Sequence, residues 1–188
     1  MDNKINRRIA IRNMALILGS AAILPSCLND KGKPTVQLKH LKLNADQETL
    51  VTELTETILP KTATPGAKDL GLHLFVFKMI DDCYDKEHQD DFIAGLDDFE
   101  SAVKKQHGQP FSKCSVKDRT AFVSGIEQHS NDKNYKDNAK LMAFYRMVKE
   151  QTVFGYTTSK YFMTKQIVYE LVPGRYNAYY PVKKLAAV

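Results

Sequence analysis

Apolar side chains recur along this chain at intervals of three and four residues, and no segment alternates apolar with polar over the length of a strand. A helix repeats every 3.6 residues and a strand every 2, so this spacing confines the chain to helices. Asn44 supplies an N-cap signal, with Glu48 one position beyond the capping-box slot, and Leu50, Val51, Leu54, Ile58 and Leu59 follow until Pro60 ends the pattern. A second helix is expected over about 70–84. Leu72, Phe75, Val76, Met79, Ile80 and Cys83 form its apolar stripe, widened by Leu74 and Phe77. The third, about 89–107, carries Phe92, Ile93, Leu96, Phe99 and Val103 and stops at Gly108-Gln109-Pro110. Ser115-Val116-Lys117-Asp118 has the form of a capping box and opens a fourth, with Phe122, Val123 and Ile126 as its apolar residues. A fifth runs over about 139–154, through Leu141, Met142, Phe144, Tyr145, Val148, Thr152 and Val153, and a short sixth covers about 159–171. The expectation is an all-α single domain of five to six helices with two ordered Pro/Gly loops, 60–70 and 172–182.

Ahead of that body stands a segment with the marks of a targeting signal. Lys4, Arg7, Arg8 and Arg12 precede an apolar run of 11 residues, 14–24, which is too short to span a bilayer. Leu24-Pro25-Ser26-Cys27 resembles a bacterial lipobox, which would place cleavage before Cys27 and a lipid on its thiol; the alternative is an ordinary signal peptide with a chance cysteine. The Arg7-Arg8 pair resembles a twin-arginine export signal, the alternative being a plain secretory n-region. The chain thus divides into a signal peptide (1–26), a lipid-anchored linker (27–42, polar, with Gly32 and Pro34) and a helical domain (43–188). Residues 1–26 account for +3 of the formal charge of +5, which leaves the mature chain at +2. That is not the concentrated basic face of a nucleic-acid binder. Cys83 and Cys114 are the remaining thiols, open either to pairing in an oxidising compartment or to burial as free cysteines.

The familiar chemical motifs are missing. The nine glycines form neither G-x-G-x-x-G nor a P-loop, and there is no C-x-x-C-H, G-x-S-x-G or H-E-x-x-H. The five histidines are scattered, with no two at the spacing that shares a helix face, and His73 reads as a hydrogen-bonded residue of the core or its edge. Asp81, Asp82, Asp85, Glu87, His88, Asp90 and Asp91 fall where one helix ends and the next begins. They lack the order of a calcium loop and read as a solvated helix junction. No catalytic, cofactor-binding or metal-ligating residue is assigned. Two stretches instead have the character of recognition surfaces. Pro60, Thr62, Thr64, Pro65 and Gly66 are stiff, small or hydroxylated, and Pro173, Gly174, Arg175 and Tyr176 combine a fixed backbone with the two residue types most used as interface anchors. Tyr176, Tyr179 and Tyr180 could equally cover the edge of the core.

"ETILPKTATPGAKDLGLHLFVFKMIDDCY", "FGYTTSKYFM" and "VPGRYNAYYPV" together resemble the gluconate 2-dehydrogenase subunit 3 family. The first motif fixes Pro60, Thr62, Thr64, Pro65, Gly66 and Ala67, and the second contains Tyr156. The resemblance implies a non-catalytic small subunit of an FAD-dependent sugar or polyol dehydrogenase of the glucose-methanol-choline type. FAD would lie in the large subunit, a cytochrome c could accept the electrons, and this chain would carry none of the redox chemistry. It would aid export, assembly and membrane attachment of the flavoprotein on the periplasmic side of a bacterial membrane. Pro60, Thr62, Thr64, Pro65, Gly66, Tyr156, Pro173, Gly174, Arg175 and Tyr176 are then partner-binding residues, Cys27 the lipid attachment site, and Arg7 and Arg8 the export signal. The alternatives are a helical surface lipoprotein that binds a glycan or another partner, and a stand-alone carbohydrate-active enzyme.

Overall fold

The computed structural model describes residues 32–129, 138–167, 174 and 178–179. The chain forms α1 (Ala45–Ile58), α2 (Leu72–Cys83), α3 (Lys86–His107), a 3₁₀ turn (Phe111–Lys113), α4 (Val116–His129), α5 (Ala139–Thr157) and a π-helical turn (Phe162–Gln166). There is no strand among the described residues. These elements belong to one compact unit that begins at Pro34. None of the described helices is long and apolar enough to cross a membrane.

Each helix boundary has a local cause. α1 opens on a closed capping box in which Asn44 Oδ1 accepts from Gln47 N (3.0 Å) and Asn44 N donates to Gln47 Oε1 (3.1 Å). The box therefore closes through Gln47, in the proper slot, and Glu48 is free for another use. α3 starts at Lys86, three residues before the expected position, because Asp85 caps it by accepting from His88 N (2.9 Å). It ends at Gly108, whose φ of 70° is the left-handed conformation a C-terminal cap requires. Ser115 caps α4 as expected, accepting from Asp118 N (3.1 Å). In the stretch expected as a sixth helix, a π-helical turn covers Phe162–Gln166, and residues 168–171 lie outside the described residues.

α5 lies at the centre, with its most extensive contacts on α3 and then on α2. Phe77, Phe92, Phe99, Phe111 and Phe144 are fully buried. Phe99 joins them, with ring centroids 5.1 Å from Phe111, 5.2 Å from Phe122 and 5.6 Å from Phe144. α3 and α5 approach closely because Gly95 has no side chain: a Cβ there would sit 2.3 Å from the carbonyl oxygen of Lys140 and 2.6 Å from Phe144 Cβ. Three residues expected on apolar helix faces point outward instead: Leu74, Val153 and Cys83 are exposed. Cys83 and Cys114 are both free, Cys83 exposed and Cys114 buried.

The acidic junction is less solvated than its composition suggests. Asp81 is 1% exposed. Its carboxylate accepts three backbone N–H groups, from Lys39 (2.7 Å), His40 (2.7 Å) and Leu41 (2.8 Å). Glu48 accepts from Thr35 N (2.6 Å) and from the Thr35 hydroxyl. Val36, Leu38, Leu41 and Leu43 pack on the core. Within the stretch read as a linker, residues from Thr35 onward are therefore strapped to the helices. Gln89, also buried, donates through Nε2 to the carbonyls of Ile80 and Asp81 in the last turn of α2 and to that of Tyr84 just beyond it.

Candidate functional site

The loop between α1 and α2 is built around the C-terminal turn of α1. Glu56 sits beneath it and accepts from two backbone amides, Lys61 N (3.1 Å) and Lys68 N (2.8 Å), one with each carboxylate oxygen. One turn earlier, Glu53 accepts from Lys68 Nζ (2.6 Å) and pairs with the Arg119 guanidinium of α4. Arg119 in turn lies 5.9 Å from the centre of the Phe111 ring. Burial pushes the Glu53 carboxyl pKa up, but the hydrogen bonds and charges of Lys68 and Arg119 outweigh it, and the net position is below the ordinary carboxylate range. Ala67, at 0% exposed, plugs the loop into the body, and its N–H donates to the carbonyl of Leu59 (2.9 Å).

The crest of the loop is held by bonds within itself. Thr62 N donates to the Thr64 carbonyl (3.0 Å), Thr64 N donates to Thr62 Oγ1 (3.3 Å), and the two hydroxyls lie 3.2 Å apart. Asp69 accepts from Gly66 N (3.2 Å) and pairs with Lys61 Nζ at 3.2 Å. Gly66 is needed for space and not for backbone freedom. A Cβ would lie 2.5 Å from Lys61 N and within 2.7 and 2.9 Å of the two Glu56 oxygens. Gly71 is the conformational glycine, with φ of 62° where the chain turns into α2.

The residues singled out in the sequence fall as follows. Pro60 and Thr62 are exposed, Thr64 and Pro65 half-buried and Gly66 buried, all in this one loop. Tyr156, half-buried near the end of α5, packs its ring 5.3 Å from Phe162 and 6.5 Å from Tyr161, around the π-helical turn. Gly174 is exposed. Pro173, Arg175, Tyr176, Cys27, Arg7 and Arg8 lie outside the described residues. His73 differs from its reading as a hydrogen-bonded residue: Nδ1 is buried without a partner among the described residues, and burial holds its pKa below the usual histidine value. Glu53, Glu56 and Arg119 are the residues sequence reasoning missed. The signal was present as two acids at i, i+3 at the end of a helix, where the helix dipole disfavours acids unless a cation or free N–H meets them.

Among the described residues no three His, Cys, Asp or Glu side chains gather as metal ligands do. What the geometry defines is a helical domain that carries a preformed loop on a rigid seat. The family model described as Gluconate 2-dehydrogenase subunit 3 matches residues 45–174, and the chain belongs to that family. The match starts at the first residue of α1 and takes in every described helix and the whole loop. No curated protein and no solved structure matches the chain.

Proposed function

We propose that this chain is the non-catalytic small subunit of an FAD-dependent sugar or polyol dehydrogenase of the glucose-methanol-choline type. The observation that carries the reading is the family match across 45–174. The family is that of a dehydrogenase subunit, which implies association with a larger dehydrogenase subunit. The flavin belongs to that larger subunit, and a cytochrome c takes its electrons. This chain contributes delivery, attachment and adhesion. Arg7 and Arg8 direct export of the folded pair, and the lipid on Cys27 holds it at the periplasmic side of the membrane, where several acyl chains anchor far more firmly than one. The Pro60–Gly66 loop and the Pro173–Tyr176 segment contact the flavoprotein. A loop whose amides and charges are already satisfied from behind loses little entropy on docking, which supports that role.

The test is recovery of a tagged full-length chain from detergent-solubilised membranes. A larger, yellow, FAD-containing subunit should accompany it, and sugar oxidation should reside in the complex. Replacing Cys27 by Ser should move the complex out of the membrane fraction. Replacing Arg175 and Tyr176 together by Ala should weaken the complex by about 2 kcal/mol or more. Sugar oxidation by this chain alone, or its recovery without any flavoprotein, would overturn the proposal.

A further inference from the structure

The charges around the loop cancel. Three acids (Glu53, Glu56, Asp69) and three bases (Lys61, Lys68, Arg119) lie around it, equal in number. Lys61 is held by Asp69 at 3.2 Å, Lys68 by Glu53 at 2.6 Å, and Arg119 by the same Glu53. Glu56 has both oxygens committed to backbone amides. Every other side chain from Pro60 to Pro65 is proline, threonine or alanine. The field of such paired charges is short-ranged and is damped further by salt. The hydroxyls of Thr62 and Thr64 keep capacity to spare. Between them they hold two O–H donors and four lone pairs, and the internal bonds use one donor and two lone pairs.

We infer that the Pro60–Pro65 crest is an electrically neutral wedge, and that the patch it fits on the larger dehydrogenase subunit is uncharged and carries hydrogen-bonding partners for the hydroxyls of Thr62 and Thr64. The inference rests on the partner-binding reading of the loop. It adds the chemistry of the opposing surface. An unpaired charge in such a patch would have to be desolvated with nothing on this loop to meet it, at a cost that a neutral lining avoids.

The test uses the full chain carrying Arg175→Ala, which takes the charged anchor of the Pro173–Tyr176 segment out of the readout, and the larger subunit recovered from membranes, with the dissociation constant measured by interferometry across a salt series. Between about 50 and 500 mM NaCl the constant should change by less than about threefold, since no net charge is neutralised at the crest. Thr64→Lys and Thr64→Glu should each weaken binding by about tenfold or more, because either sign is desolvated without a partner. Thr64→Val, which keeps the shape and loses the hydroxyl, should weaken it by about fivefold. A constant that rises more than about tenfold with salt overturns the inference while leaving the loop a contact surface, and so does tighter binding by one of the two charged variants. If all three variants bind as the parent does, the loop is no contact surface, and the inference falls with that reading. The salt series on the Arg175→Ala chain decides the question even if a Thr64 variant folds poorly.

Discussion

At the scale of single residues, Asp81 and Gly66 carry the most weight. Asp81 is buried, which by itself raises its carboxyl pKa, but the backbone N–H groups of Lys39, Leu41 and His40 together hold it below the ordinary carboxylate value. A carboxyl whose pKa is lower in the folded than in the unfolded protein adds stability in full above the unfolded value, about 3.9, and loses it as pH falls through the folded value. Asp81→Asn keeps the volume but turns one acceptor into a donor that faces N–H groups. It should cost about 2 kcal/mol in urea unfolding at pH 7, and the gap from the parent should narrow below pH 4. An equal gap at pH 7 and pH 3 would mean that the charge does not hold the strap. Gly66→Ala acts on the loop alone. The new methyl would drive the Glu56 carboxylate from Lys61 N and Lys68 N, so partner binding should fall by about tenfold while circular dichroism stays that of the parent. The need for glycine at 66 could be read from the Pro-Gly pair as a turn. The true reason, a carboxylate ten residues earlier lying under it, has no sequence signature.

At the scale of helices, two glycines in helix interiors make opposite predictions. Gly95 lies in α3 against α5, where a Cβ would meet the Lys140 carbonyl and Phe144. Gly125 lies in α4, and no described atom would come within 4 Å of its Cβ. Gly95→Ala must push the two helices apart and should destabilise the protein by about 2–3 kcal/mol. Gly125→Ala removes only the backbone entropy penalty and should stabilise it by about 0.5–1 kcal/mol. Thermal unfolding of the two variants checks both signs. The helices themselves were legible because their stability comes from an apolar stripe, and a stripe is written in the spacing of Phe92, Leu96, Phe99 and Val103. Packing distance is not written that way, so nothing in the spacing marks Gly95 as the point where α3 and α5 approach closely. The strap was illegible for a related reason. Its anchors are backbone amides of Lys39, His40 and Leu41, which have no side-chain identity, and an aspartate some 40 residues away in a cluster that looks solvated. Leu74, Val153 and Cys83 face outward because periodicity gives an apolar arc and not its edges, and only the neighbours decide where the arc ends.

At the scale of the whole molecule, the parts differ in what holds them. The family match begins at Ala45, so the strap from Thr35 lies outside it; Asp81 and Glu48 hold its backbone, and Val36, Leu38, Leu41 and Leu43 pack it on the core. The loop lies within the match and is secured by Glu53 and Glu56, on the opposite end of the same helix from Glu48. α1 is thus a brace with the 35–43 strap tied near its first turn and the Pro60–Gly66 loop tied to its last. The proposed role, in which this chain stabilises a flavoprotein partner, predicts an effect on that partner. Anything that binds only the folded state raises its stability by RT ln(1 + [L]/Kd), about 2.7 kcal/mol at one hundred times Kd. Heating the flavoprotein subunit and following release of flavin by its fluorescence should give a higher midpoint when this chain is present. The rise should grow with the logarithm of its concentration once that exceeds Kd. Thr64→Glu, with its weaker binding, should displace that dependence to about tenfold higher concentration without changing its slope, since the variant alters affinity and not what is bound. A flavin-release midpoint that stays fixed at saturating amounts of the parent chain would separate binding from stabilisation and remove stabilisation from the proposed role.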